Sequence, residues 1–72
     1  MKTGVVKMWD SSKGFGFIED DEGYDYFLNV SKVRSGQKIR EGDRVKFDVF
    51  EGQRGPSAVN VSKYWKILGL FI

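Results

Sequence analysis

A chain of 72 residues holds one small, marginally stable domain, and this one contains neither cysteine nor histidine. That excludes disulfides, zinc sites built on Cys or His, and Cys–His or Ser–His nucleophilic catalysis, so no cofactor and no enzymatic activity are expected. All ten acidic residues lie before Ser62 and are balanced there by as many basic ones, so the net charge of +2 comes from Lys63 and Lys66 and predicts only weak, salt-sensitive attraction to polyanions.

In chain order, Gly4 to Trp9 reads as a first strand in which Val6 and Met8 alternate with Val5, Lys7 and Trp9. Turn residues Asp10-Ser11-Ser12-Lys13-Gly14 follow. Phe15 to Glu19 is a second strand, closed by the acidic loop Asp20-Asp21-Glu22-Gly23, which is expected to be a solvated hairpin loop and not a metal site. Tyr24 to Val30 is a third strand with Tyr26 and Leu28 on one face and Asp25, Phe27 and Asn29 on the other.

The polar stretch Ser31 to Asp43 reads as a long loop with at most one helical turn. Arg44 to Phe50 is a fourth strand with Val45, Phe47 and Val49 on one face. Ser57 to Ser62 is a fifth, with Val59 and Val61 opposed to Ala58, Asn60 and Ser62. Between these two lies the loop Glu51-Gly52-Gln53-Arg54-Gly55-Pro56, whose proline marks a strand entrance. Five short strands without a helix predict an all-β, five-stranded antiparallel barrel, because closure removes edges that so small a sheet could not otherwise protect.

Within Lys13-Gly14-Phe15-Gly16-Phe17-Ile18 the two phenylalanines share one face. Placing them outward sends Ile18 to the core, and the small Gly14 and Gly16 are expected to leave open space around the rings. Exposed aromatic faces beside a lysine suit unstacked bases. The spacing therefore predicts a binder of single-stranded RNA or DNA.

Taken together, Gly4-Val5-Val6-Lys7, Lys13 to Glu19, Asp25-Tyr26-Phe27-Leu28 and Gly52 to Val61 resemble the bacterial cold-shock proteins, in order and at similar spacing, from Gly4 to Ser62. The resemblance implies an oligonucleotide-binding (OB) barrel and a sequence-tolerant single-strand binder, an RNA chaperone or a regulator of transcription or translation. By position it places Lys7, Phe15, Phe17 and Phe27 on the binding face, with Lys13 and Arg54 as flanking cations.

This chain has Met8 where the family usually has tryptophan, Trp9 where it has a core phenylalanine, and Asn29 and Val30 where it has a histidine and an aromatic. Met8 is expected to offer a polarisable contact and Asn29 a hydrogen bond to a base edge. Fewer stacking platforms imply modest affinity.

Residues 1–62 are expected to form the domain and 63–72 an apolar extension. The run Tyr64-Trp65-Lys66-Ile67-Leu68-Gly69-Leu70-Phe71-Ile72 is too short to span a membrane and too apolar for a solvated end. It is expected to dock on the barrel or to join two copies as a homodimer. A rival reading keeps the barrel but makes it a protein-interaction or oligomerisation module. With no signal-peptide pattern and no spanning helix, a soluble cytoplasmic protein without a membrane partner is expected.

Overall fold

A computed structural model describes residues 1–53 and 55–64; Arg54 and Trp65 to Ile72, on which one site expectation and most of the tail expectation fall, lie outside the described residues. Five strands occur among the described residues: β1 (Lys2–Asp10), β2 (Phe15–Asp20), β3 (Asp25–Asn29), β4 (Arg44–Gly52) and β5 (Gly55–Lys63). The last strand runs one residue past Ser62, and the Tyr64 amide donates to the Arg44 carbonyl at 2.9 Å.

The strands close into a barrel in the order β1-β2-β3-β5-β4. Four of the neighbouring pairs are antiparallel as expected, and β3 runs parallel to β5, with Phe27 beside Ser57. An odd number of strands cannot alternate direction all the way round a closed ring, so one neighbouring pair must be parallel. The parallel seam is continued by a bridge between Val33 and Val61. Val33 follows a short 3-10 turn (Val30–Lys32), the one helical turn allowed for in the long loop.

Inside, Val6, Ile18, Leu28, Val45, Phe47 and Val61 are fully buried. Tyr26 leans on Phe47 with ring centroids 5.3 Å apart, and Ile39 of the long loop is buried with this cluster. The inward positions, every second residue of β2, β3 and the first half of β4, thus meet in one core, where each large apolar side chain contributes about 1.5–3 kcal/mol.

Simple alternation fails at two bulges. Lys7 is an extra residue on β1, since Val6 pairs with Ile18 and Met8 already with Phe17. Met8 is thereby set outward and Trp9 inward, against the core. In β5, Asn60 and Val61 together face Phe47, because Ser62 pairs with Lys46 and Val59 with Asp48. Asn60 absorbs the extra residue at φ 53°, and its Nδ2 donates to Asp48 Oδ2 at 3.1 Å. Asparagine tolerates this left-handed conformation better than most residues. Ala58 and Val61 are consequently both buried, which corrects the expected opposition of Ala58 to Val61.

The acidic loop also differs from expectation. Asp20 is buried, and its carboxylate accepts from the amides of Glu22 (2.9 Å) and Tyr24 (2.9 Å) and from the Tyr26 hydroxyl (3.0 Å), with Lys2 Nζ at 3.6 Å. Burial pushes this carboxyl up, but those donors and Lys2 outweigh it and hold the group below the usual carboxylate range. Asp20 therefore anchors the β2–β3 turn from inside, whereas Asp21 and Glu22 remain exposed.

Candidate nucleic-acid interface

The turn into β2 is built by Asp10, whose Oδ1 accepts from the Ser12 hydroxyl at 2.7 Å and from the amides of Ser12 and Lys13 at 3.1 Å. The Ser12 hydroxyl above all, with the two amides, holds the Asp10 carboxyl below its ordinary value. Gly14 closes the turn at φ 75°, donating to the Asp10 carbonyl and accepting from the Val30 amide, each at 2.8 Å. The chain then enters β2 with Phe15 and Phe17 outward and Ile18 in the core.

The expectation that Gly16 opens space beside the rings fails. Gly16 faces the interior, where a Cβ would overlap the Met8 carbonyl and meet the Trp9 ring at 2.8 Å. The indole of Trp9, turned inward by the bulge at Lys7, fills the place that a side chain at Gly16 would take. The glycine is needed for close packing beneath the aromatic face, not for room on it.

On the outer surface Phe17 and Phe27 are direct cross-strand partners, with centroids 5.8 Å apart in an edge-to-face arrangement. Phe15 lies 6.0 Å from Phe27 with the rings inclined at only 28°. Phe17 and Phe27 remain 36% and 39% exposed, so a broad part of each ring meets solvent. Met8, 37% exposed, pairs with Phe17 and extends the row onto β1.

The polar residues expected at the site are placed less uniformly. Lys7 is exposed at the end of the row, but its Nζ lies 3.0 and 3.2 Å from the two oxygens of Asp25 and 4.0 Å from Glu19. The hydrogen bond to Asp25, reinforced by both negative charges, raises the lysine pKa. Lys13 is exposed beside Phe15, and no carboxylate among the described residues pairs with its ammonium. Asn29 is exposed opposite Phe15, with Oδ1 committed to the Ser31 amide at 2.9 Å as the cap of the 3-10 turn; its amide nitrogen is the group left to face a ligand.

Sequence reasoning missed Phe50. It stands 59% exposed near the end of β4 and lines a cleft of about 510 Å³ with Phe17, Phe27, Gln53, Pro56 and Ser57. The signal was present in the alternation, since Phe50 is out of phase with Val45, Phe47 and Val49.

The family model for the "'Cold-shock' DNA-binding domain" matches residues 2–64. The chain belongs to the cold-shock domain family. It is 46% identical over 65 residues to the major cold shock protein of Streptococcus pyogenes serotype M18 (strain MGAS8232), covering 88% of this chain and 97% of that one. It is 45% identical over 65 residues to cold shock protein CspC of Bacillus subtilis (strain 168), covering 88% and 98%. Among solved structures, drosophila Unr CSD456 superposes with a TM-score of 0.75 at 21% identity, over 90% of this chain and 27% of that one, a likeness of fold. The cold-shock domain family is a nucleic-acid-binding, non-enzymatic one. No helix among the described residues is long and apolar enough to cross a membrane.

Proposed function

We propose that this cold-shock domain binds single-stranded RNA or DNA with little base preference, stacking unpaired bases on Phe15, Phe17 and Phe27. The observation that carries this reading is the row of neighbouring phenylalanines held outward across β2 and β3, with two of the rings more than one-third exposed on a domain that has few large side chains to spare. Each stacked base contributes about 1–3 kcal/mol, and stacking tolerates every base because every base has a π-face.

Met8 extends the platform with a soft contact, Asn29 offers its amide donors to a base edge, and Lys13 and Arg54 take phosphates. Lys7 sits at the margin of the face, with its charge balanced by Asp25 and Glu19. A strand held this way cannot pair with itself, so the domain melts secondary structure stoichiometrically. That is the action of an RNA chaperone or of a regulator acting on transcripts.

The reading is tested by anisotropy titration of a labelled thymidine strand and of the same strand in a duplex, for the native chain and for Phe15→Ala and Phe27→Ala. Preferential single-strand binding is expected, weakened by about 1–3 kcal/mol in each variant with circular dichroism unchanged. Equal binding of duplex, or unaltered affinity in both variants, overturns it.

A further inference from the structure

The register of the barrel places Phe50 in the same outer row as the three phenylalanines. Met8 pairs with Phe17, Phe17 with Phe27, Phe27 with Ser57, and Ser57 with Phe50. Cross-strand partners point to the same face, so one belt of side chains crosses all five strands. Within it the small Ser57 separates two large rings.

Neighbouring strands lie about 4.8 Å apart, which puts the backbones bearing Phe27 and Phe50 roughly 9.6 Å from one another. A flat ring sandwiched between two others needs two contacts of about 3.5–4.0 Å, or roughly 7–8 Å in all. A modest lean of the two side chains closes the difference. The resulting cleft of about 510 Å³ lies within the size range of small-ligand sites.

Its chemistry points the same way. No charged side chain lines it among the described residues, so nothing there repels a phosphate chain, and Gln53 and Ser57 set hydrogen-bonding groups beside the rings. Gly52 lies close to the Phe50 ring, where an added Cβ would meet the ring at 3.2 Å, so the missing side chain leaves the ring room at the strand end. Phe50 itself is more exposed than Phe17 or Phe27 and is not part of the core.

We infer that the slot over Ser57, between Phe27 and Phe50, is a further subsite that takes one unpaired nucleobase, extending the bound strand from β2 and β3 across β5 onto the β4–β5 hairpin. The inference rests on the single-strand reading above and adds to it a ligand position and the residue that forms it.

The experiment measures affinity for thymidine strands lengthened one nucleotide at a time, for the native chain, Phe50→Ala, Phe50→Leu, Phe50→Trp and, as a control outside the slot, Phe15→Ala. Phe50→Ala and Phe50→Leu are expected to lose about tenfold on strands long enough to reach the slot and nothing on shorter ones. Tenfold corresponds to about 1.4 kcal/mol, within the range for one base on one ring. Phe50→Trp retains the native length dependence, and melting temperatures stay close to native because the ring is on the surface. Full affinity in Phe50→Ala at every length, with loss in Phe15→Ala, overturns the slot and leaves the single-strand reading standing; equal losses at all lengths also overturn it. Unaltered binding in both Phe15→Ala and Phe50→Ala fails the single-strand reading itself.

Discussion

The ammonium of Lys7 bridges the two oxygens of Asp25, at 3.0 and 3.2 Å, across the outer face of the barrel. The arrangement leaves a lysine on the binding face without a net charge to offer. Lys2 and Arg44 are similarly engaged, with Asp20 and Asp21. These three pairings limit what Lys2, Lys7 and Arg44 can add to counterion release on a nucleic acid.

The dependence of binding on salt is accordingly expected to be shallow. With three or four phosphates engaged at about 0.7 each on a single strand, log K should fall by roughly 2–3 per decade of salt. Asp25→Asn releases Lys7 and should steepen that slope by about 0.7, the share of one added contact. Titrations at several potassium chloride concentrations check both numbers; a native slope near that of a strongly basic protein contradicts the ion pairing.

Restoring aromatic side chains should strengthen binding. Met8 faces outward beside Phe17, and Val30 is 53% exposed next to the Gly14 turn. Met8→Trp and Val30→Phe each add a π-face at the margin of the row. The double variant should bind oligothymidine more tightly by about 1–3 kcal/mol per base newly stacked. A folded double variant with native affinity would show that the strand takes another path.

Acid should destabilise the domain through Asp20. Its folded-state pKa lies below the unfolded-chain value of about 3.9, so its bonds favour the native state fully above that pH and are lost as the pH falls through the folded value. The melting temperature should drop as pH is lowered below about 4. Asp20→Asn, which keeps one acceptor oxygen and loses the charge, should melt lower at neutral pH and show a weaker acid dependence. Differential scanning calorimetry across the acid range makes the comparison.

The core has little redundancy. Phe47 is the largest fully buried side chain among the described residues, and Tyr26 packs on it. Phe47→Ala should cost about 3–5 kcal/mol, a large part of the roughly 4–11 kcal/mol available to a domain of this length. Urea denaturation should show the midpoint falling steeply, in contrast to the surface variants Phe15→Ala and Phe50→Ala.

The strands and the outward phenylalanines were legible because alternation is a local property. Phe15, Phe17 and Phe27 fall opposite Ile18, Tyr26 and Leu28 on period two alone. The bulge at Asn60 was not legible, since an extra residue in a strand is visible only against its partner, and the one at Lys7 was signalled only by Trp9 standing where the family has a core phenylalanine. Hence alternation alone opposed Ala58 to Val61, which share the interior, and set Trp9 opposite Val6, whereas its place at the family's core phenylalanine pointed it inward. Likewise, the Lys7–Asp25 pair joins residues 18 apart in sequence, and the burial of Asp20 depends on Tyr26 reaching back to it. Phe50 was readable in principle; it drew no notice because its row exists only once β5 lies between β4 and β3.

Because β1 is held on one side by β2 and on the other by β4, where Lys2 pairs with Phe47, the ring cannot close until most of the chain exists. Its seam between β3 and β5 needs Ser57 and Val61 as well, from the last of the described strands. An incomplete chain emerging from the ribosome can form the β1–β2–β3 meander, but Ile18 and Leu28 then lie on a face that Val45, Phe47 and Val61 have yet to cover. The domain must therefore acquire its native structure after synthesis of β5 and not progressively during it. Non-local pairings of this kind ordinarily slow folding, and here they also make it a single cooperative event.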